Sequence, residues 1–222
     1  MAPRPASSPI PLVLHGDVLD PWCWIAEKRI AIAAEELHGR FMSLEHAPLP
    51  RRWDPRAPTA SERKHRAVEL RRAAKEPDAP AFSSELWSAS VTAPVSSAPA
   101  LVAIAAARLQ GRAAESAVRD ALREAALVRA LDVSRTDVIM EVAARAGVDL
   151  ARFVPAFEAP ATERALLAEI GEAEEQGIEA SPSLVIGDDW MVTGARPLRD
   201  YRVILKRYLA VRAGTPVAHT VH

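Results

Sequence analysis

The sequence predicts an α/β fold in which a small β-sheet is interrupted by an all-helical insertion. Short apolar runs typical of buried strands lie near both ends of the chain, at residues 10–15 and 184–186. Between about residues 50 and 180 no strand pattern occurs, and segments with helical spacing follow one another instead. With 222 residues, 49% of them hydrophobic, the chain is large enough for one core that carries an insertion.

The first fifty residues are expected to form a strand, a helix and a second strand. The apolar run 10–15 indicates the first strand, and the helix that follows is expected to end at Gly39. Residues 41–46 alternate in the way a half-buried strand does, and Pro48 is expected to break that strand. This order is the beginning of a βαβ unit.

Helices are predicted through the middle of the chain, and a hairpin and a helix close it. The predicted helices are 61–75, a segment from 97 to 111 capped by Ser97, 113–131, 134–146, 149–157 and 162–176. Residues 184–186 and 190–192 are expected to pair across a Gly-Asp-Asp turn. Pro197 begins a last amphipathic helix that Gly214 ends.

This order divides the chain into four kinds of segment. Residues 1–9 are expected to be a disordered tail, and residues 215–222 a second tail. Residues 10–50 and 160–214 form the predicted core, and residues 51–159 form the helical insertion.

Composition excludes several classes of function. The formal net charge of -1 argues against a dedicated nucleic-acid-binding protein, which would carry a basic excess. The single cysteine excludes an internal disulfide and a multi-cysteine metal site, and the six histidines lack metal-ligand spacing. No signal peptide or membrane span is indicated, so we expect a cytoplasmic protein with no metal and no membrane partner.

The most informative stretch is Gly-Asp-Val-Leu-Asp-Pro-Trp-Cys-Trp-Ile at residues 16–25, in the turn between the first strand and the first helix. The free N–H groups and the dipole at a helix start favour an anion, so a thiol there becomes a nucleophile. The simpler interpretations are that Asp20 is an ordinary N-cap and that Cys23 is a small buried hydrophobe.

This stretch resembles the Ser-Asp-x-x-Cys-Pro-Trp-Cys-Tyr signature of cytoplasmic DsbA-like oxidoreductases, which have the thioredoxin fold. Asp17, Pro21, Trp22 and Cys23 match that signature without a gap, and Asp20 stands where the family has its attacking cysteine. The resemblance therefore implies a motif that has lost one of the two cysteines that thiol–disulfide exchange requires.

Three further landmarks follow in the family's order. Residues 94–101 with 110–111 resemble the start of its helical insertion, residues 180–186 its cis-proline loop and third strand, and residues 194–197 its Gly-Ala-Gln-Pro before the last helix. The resemblance covers roughly residues 12–210. It implies a thioredoxin-like core sheet interrupted by the helical insertion, with a cis peptide bond before Pro182.

The resemblance also implies which residues form the site. Asp20 and Cys23 would hold the catalytic positions. Trp22, Trp24, Ser181 and Pro182 would contact the substrate, a small thiol or an extended peptide. Glutathione is a candidate cosubstrate, no bound cofactor is implied, and a homodimer is compatible with the family.

A second alignment of the motif stays open. Some relatives read Asp-Pro-x-Cys-x-x-Cys, and in that alignment Cys23 becomes the attacking thiol while Ala26 replaces the resolving one. The gapless match that also places Asp17 favours the first alignment.

Three functions are compatible with these residues. The chain could be an oxidoreductase relative that lacks a dithiol cycle, either redox-inactive or using Cys23 as a single thiol. It could be a glutathione-dependent transferase or isomerase, because kappa-class glutathione transferases and 2-hydroxychromene-2-carboxylate isomerases resemble it through Asp-x-x-Ser-Pro-Tyr-Ser-Trp-Leu. It could also be a non-catalytic peptide-binding adaptor.

Overall fold

A mixed four-stranded sheet forms the centre of the molecule in a computed structural model that describes residues 8–88, 93–187 and 189–214. Its strands are β1 (Leu12–Gly16), β2 (Glu45–Pro48), β3 (Ser183–Ile186) and β4 (Trp190–Thr193). The order across the sheet is β2-β1-β3-β4, with β2 parallel to β1 and the other neighbours antiparallel. The predicted α/β class, with strands from both ends of the chain, is confirmed.

Helices supply the rest of the described secondary structure, and the described parts of residues 51–180 contain no strand. They are α1 (Pro21–Glu35), α2 (Ala60–Ala73), α3 (Glu85–Ser88), α4 (Ala98–Arg108), α5 (Arg112–Arg123), α6 (Thr136–Arg145), α7 (Leu150–Glu158), α8 (Pro160–Glu175) and α9 (Leu198–Arg212). A π-helical turn, Glu124–Val128, continues α5. The two predicted tails fall largely on residues 1–7 and 215–222, which lie outside the described residues.

The predicted position of the second strand is wrong. Residues 41–46 alternate in polarity, yet only an isolated bridge joins Phe41 to Ile10, and β2 itself begins at Glu45 and includes Pro48. Proline is tolerated there because β2 is an edge strand, so its missing N–H removes no hydrogen bond from the sheet.

The prediction that the Ser97 side chain caps α4 is also wrong. Ser97 stands at the N-cap position of α4, but its hydroxyl donates to Asp17 Oδ2 (2.7 Å) and makes no cap hydrogen bond. The hydroxyl of Ser96 instead accepts from Ala98 N at 2.9 Å. The sequence alone does not show whether Ser96 or Ser97 caps α4. The hydrogen bond from Ser97 to the distant Asp17 leaves Ser96 as the serine whose hydroxyl caps the helix.

Two large hydrophobic cores contain most of the buried side chains in the described part of the chain. One lies between the sheet, α1 and α9, and its largest buried side chains include Ile30 and Tyr201. The other fills the helical region, and Val18 and Leu19 of the turn are buried in it together with Leu166 of α8. The turn before α1 is therefore anchored in the helical core, while β1 and α1, which flank it, pack in the core of the sheet. The predicted boundary at residue 160 stays a prediction.

Candidate functional site

A carboxylate occupies the start of α1. Asp20 has the extended backbone of an N-cap, its Oδ1 accepts from Trp22 N at 2.9 Å, and Pro21 fills the first helical position. The side chain is fully buried, at 0% exposure. The anion-favouring end of the helix is thus already filled by a group of the chain itself.

Ser181 joins Asp20 to the cysteine. Its hydroxyl donates to Asp20 Oδ2 at 2.8 Å, and its oxygen lies 3.1 Å from Cys23 Sγ. Because the serine proton is used on the carboxylate, the thiol is the donor in the second contact. The three side chains form one chain of hydrogen bonds, thiol to hydroxyl to carboxylate, in which only Ser181 is partly exposed.

Arg51 is the cation beside this chain. Its Nε lies 3.8 Å from Asp20 Oδ2, while Nη1 and Nη2 donate to the two oxygens of Glu69 at 2.7 and 2.8 Å. The bidentate pair with Glu69 fixes the plane of the guanidinium. Arg51 therefore faces Asp20 in a set orientation, with 22% of its side chain exposed.

Burial governs the protonation of both motif residues. It raises the pKa of Asp20, against the opposing effects of Arg51 and of the Ser181 hydrogen bond. It raises the pKa of the Cys23 thiol well above its ordinary value, and the negative charge of Asp20 adds to that rise. At neutral pH the thiol is protonated and unsuited to nucleophilic attack.

Gly16 packs directly against the side chain of Cys23. A methyl group placed on Gly16 would lie 2.5 Å from Cys23 Sγ and 3.3 Å from its Cβ. The end of β1 and the first turn of α1 are thus in direct contact through the thiol. Cys23 has 0% exposure, so no substrate disulfide reaches its sulfur in this conformation.

Asp17 holds the turn in place. Its Oδ1 accepts from Leu19 N at 2.7 Å, and its Oδ2 accepts from Arg51 N at 2.6 Å and from the Ser97 hydroxyl. A buried carboxylate that accepts three hydrogen bonds is well compensated for the loss of water. Asp17 therefore ties the motif, the loop after β2 and the start of α4 together.

The other predicted substrate-binding residues divide into two groups. Trp22 is half-buried at the start of α1. Trp24 packs into the helical core, with its ring 5.8 Å from that of Phe82. Pro182 is buried, follows a cis peptide bond with Ser181, and its carbonyl accepts from Gly194 N. The two tryptophans are therefore both half-buried, whereas Pro182 is buried.

An open groove of about 710 Å³ runs past Ser181. Its charged lining consists of Arg51 and Arg66 and of the exposed side chains of Glu174 and Glu179. Arg66 shares Glu69 with Arg51, at 3.2 Å. The groove is thus large enough for a short peptide and offers charges of both signs beside the half-buried hydroxyl.

The described residues show neither a metal-binding cluster nor a membrane-spanning helix. No group of three or more histidine, cysteine or acidic side chains in the described ranges could hold a metal ion. Among the same residues, no helix is long and apolar enough to cross a membrane.

Arg51 and Glu69 are site residues that the sequence did not reveal. Arg51 follows a proline pair in a connecting loop, and Glu69 is one of many charges on α2. Neither belongs to a motif. The one available signal, that a buried Asp20 needs a cation, does not say which of the chain's basic residues supplies it.

Comparison with known proteins identifies the family of this arrangement. Residues 12–206 match the sequence model of the DSBA-like thioredoxin domain. A candidate protein disulfide isomerase from Nitrosomonas europaea is 20% identical, with a TM-score of 0.74 over 91% of this chain and 98% of the other. No curated protein matches the chain in sequence.

Two further solved structures share the fold. The cytosolic disulfide reductase DsbM from Pseudomonas aeruginosa is 20% identical, with a TM-score of 0.68 over 90% of this chain and 99% of the other. A 2-hydroxychromene-2-carboxylate isomerase is 16% identical, with a TM-score of 0.63 over 92% and 98%. The predicted thioredoxin-like fold is confirmed by this agreement.

Proposed function

The chain belongs to the DSBA-like thioredoxin domain family, which is related to disulfide oxidoreductases and isomerases, and on that basis we propose that it binds a small thiol, glutathione or a relative, without running a dithiol cycle. The observation that carries this proposal is the buried chain of Asp20, Ser181 and Cys23. Storage of two electrons as an internal disulfide needs two cysteines, and this chain has one.

The geometry also favours the first alignment of the motif. Asp20 is the N-cap, where an attacking thiolate would gain most from the helix N-terminus, and Cys23 lies inside the first turn. A single-thiol mechanism through Cys23 requires the sulfur to reach a substrate, and its full burial opposes that. The redox-inactive alternative is therefore preferred over the monothiol one.

The groove offers a hydrogen-bond acceptor and charged side chains that match the thiol and the charged groups of a small thiol peptide. The Ser181 oxygen keeps one acceptor lone pair for an incoming S–H, because Asp20 and Cys23 use its proton and its other lone pair. Arg66 can pair with a ligand carboxylate, and Glu174 and Glu179 with an ammonium group. Glutathione is proposed as the ligand because a solved structure of DsbM with glutathione has the same fold as this chain, with a TM-score of 0.67.

A calorimetric titration with glutathione, followed by intact mass, tests the proposal. We expect saturable binding with no mass increase after removal of free ligand. Arg66→Gln should weaken the binding, whereas Arg71→Gln, an exposed arginine on the same helix outside the groove, should leave it unchanged. Absence of binding heat, or equal effects of the two variants, would refute the proposal. Incubation with oxidised glutathione tests the monothiol mechanism: a mass increase of one glutathionyl group, with release of one reduced glutathione, would establish thiol exchange at Cys23 instead.

A second candidate function is a glutathione-dependent isomerase or transferase reaction. One observation favours it: Ser181 connects the half-exposed groove with the buried carboxylate of Asp20. A proton from the bound thiol could pass to the Ser181 oxygen while the serine proton passes to Asp20, which leaves a thiolate in the groove. Asp20 would then be a general base, in the place where the related enzymes have a serine.

The ultraviolet absorbance of bound thiolate distinguishes this second function from simple binding. If Asp20 is the base, glutathione ionises on the wild-type protein near neutral pH and stays protonated on Asp20→Asn. If neither protein ionises it, the isomerase function is excluded and thiol binding alone remains. Tight binding of extended peptides without binding of glutathione would assign the groove to an adaptor role.

We further propose that the protein acts in the cytoplasm and that residues 51–159 form a separate insertion. The single cysteine suits a reducing compartment, and DsbM is described as cytosolic. Fractionation of cells that express the protein at its natural level tests the first point. A homodimer remains a prediction, which sedimentation of the purified chain tests.

A further inference from the structure

Arg51 acts on Asp20 by its charge and across a gap. Its Nε lies 3.8 Å from Asp20 Oδ2, which is beyond hydrogen-bonding distance, and its two Nη atoms are held by Glu69. The backbone of Arg51 has an anchor of its own, because its N–H donates to Asp17 Oδ2 at 2.6 Å. A change of the guanidinium therefore alters the charge beside Asp20 and leaves this anchor in place.

The direction of the Ser181 hydroxyl depends on the charge of Asp20. An ionised carboxylate can only accept, so Ser181 donates its proton to Asp20 Oδ2 at 2.8 Å. One lone pair of the serine oxygen then accepts from Cys23 Sγ at 3.1 Å, and the other is left for the groove. With Asp20 ionised, Ser181 is thus an acceptor for the ligand.

A protonated Asp20 would reverse this arrangement. The carboxyl would become the donor in its contact with Ser181, and the serine proton would be released from it. The proton could then turn to Cys23 Sγ or to the groove. Because a thiol sulfur is a weak acceptor, an acceptor atom of a ligand would compete for that proton.

Opposing influences set the charge of Asp20. Burial raises its pKa, the charge of Arg51 lowers it, and the charge of Glu69 raises it again. The neighbouring Asp17 carboxylate is satisfied by three donors of its own, and the Cys23 thiol is neutral. Arg51 is thus the cation that opposes burial at Asp20.

Glu69 has two separable effects on this cation. Its oxygens accept from both Nη atoms of Arg51, at 2.7 and 2.8 Å, and fix the plane of the guanidinium. Its negative charge, which it also shares with Arg66 at 3.2 Å, favours the protonated form of Asp20. Glutamine at this position keeps an acceptor oxygen for Arg51 and removes only the charge.

We propose that Arg51 is the positioning residue that keeps Asp20 ionised and so turns the Ser181 hydroxyl away from the groove. The groove then selects ligands that donate a hydrogen bond to Ser181, such as a thiol, over ligands that only accept one, such as a thioether. The choice of ligand rests on the proposed function, whereas the effect of Arg51 on Asp20 does not.

Carbon-13 NMR of the aspartate side-chain carboxyls tests the effect in the ligand-free protein, where the Asp20 signal is the one that Asp20→Asn lacks. The titration midpoint of Asp20 should rise in Arg51→Gln, which loses a cation, and fall in Glu69→Gln, which loses an opposing anion. Arg51→Lys keeps the charge and should stay near wild type. Arg71→Gln, an exposed charge removed from α2 outside the groove, should also stay there. Midpoints that move in the same direction in Arg51→Gln and Glu69→Gln, or in neither, would overturn the proposal.

The ratio of the glutathione affinity to the S-methylglutathione affinity tests the selectivity, because the thioether cannot donate. A changed charge in the groove affects both ligands alike and cancels in this ratio. At neutral pH the ratio should fall about fivefold in Arg51→Gln, the equivalent of one hydrogen bond, and stay at the wild-type value in Glu69→Gln and Arg51→Lys.

The two measurements separate this inference from the function on which its ligand rests. If both ligands bind with the same ratio in wild type and Arg51→Gln, the inference is wrong and thiol binding stands. If neither ligand binds the wild-type protein, the proposed function is wrong and the selectivity falls with it. A wild-type ratio that falls when the pH is lowered through the Asp20 midpoint would support the inference without any substitution.

Discussion

Ser181 Oγ donates a hydrogen bond to Asp20 Oδ2 at 2.8 Å, although the two residues are 161 positions apart in the chain. The contact brings the loop before β3 against the start of α1, and it places the serine oxygen 3.1 Å from Cys23 Sγ. Under the motif alignment that we propose, Asp20 therefore stands at the position of the attacking thiol, and Cys23 is buried beside it and hydrogen-bonded to Ser181.

Restoring a second cysteine should restore redox chemistry. Asp20→Cys recreates the Cys-Pro-Trp-Cys sequence at the helix start, next to Arg51, where a thiolate is stabilised by the helix and by the cation. We expect this variant to form an internal disulfide and to reduce insulin measurably, whereas Asp20→Ser should do neither. A variant that forms its disulfide and exchanges with no substrate would show that the groove itself has diverged.

The contact between β1 and α1 predicts a steric effect at Gly16. Gly16→Ala should lower the free energy of unfolding by about 1–3 kcal/mol, because the new methyl meets Cys23 Sγ at 2.5 Å. Chemical denaturation measures the loss, and combining the change with Cys23→Ala should recover at least about 1 kcal/mol through coupling.

Gly171→Ala is the matched control for that substitution. Nothing lies within 4 Å of a methyl at Gly171, which stands inside α8, so alanine there should stabilise the protein by about 0.5–1 kcal/mol. A Gly16→Ala variant as stable as wild type would contradict the packing described for Cys23.

The raised pKa of Cys23 predicts how stability changes at alkaline pH. Above about pH 8.5 the unfolded thiol loses its proton while the folded thiol keeps it, so the folded state binds more protons. Stability should then fall by up to about 1.4 kcal/mol per pH unit from this residue. Urea titrations between pH 8 and 10 should show that Cys23→Ala has the shallower slope, and identical slopes would contradict the assignment.

Ser97 should matter for stability although it caps nothing with its side chain. Ser97→Ala removes the hydroxyl that donates to the buried Oδ2 of Asp17, which we expect to cost about 1–2 kcal/mol. Ser61→Ala, at an exposed position near the start of α2, should change stability by less than about 0.5 kcal/mol. If the two substitutions lower the free energy of unfolding equally in a denaturation series, the contact with Asp17 does not contribute to stability.

The fold could be predicted from the sequence because its signals are local. The apolar run around Leu14, the motif at Cys23 and the stretch around Pro182 each stand where the structure has a strand, a helix start and a loop before a strand. The second strand was misplaced because periodicity cannot show that β2 is an edge, where Pro48 is harmless.

The site could be predicted only in part. The motif predicts Asp20 and Cys23 as site residues, and the position before Pro182 predicts Ser181; their roles stay predictions. Their hydrogen-bond chain depends on tertiary contacts, and so does the pairing of Arg51 with Glu69, which no spacing in the sequence encodes. The same limit applies to Trp24, which the structure packs against Phe82.

The rate of Cys23 alkylation tests the account most directly. Iodoacetamide should modify the native protein at neutral pH far more slowly than the urea-unfolded chain. The reason is that the native thiol is buried, protonated and hydrogen-bonded to Ser181. The native rate should rise when denaturant opens the structure. Rapid modification of the native protein near pH 6 would show an exposed, activated thiol. The buried chain of Asp20, Ser181 and Cys23 would then be wrong, and Cys23 would be the attacking residue.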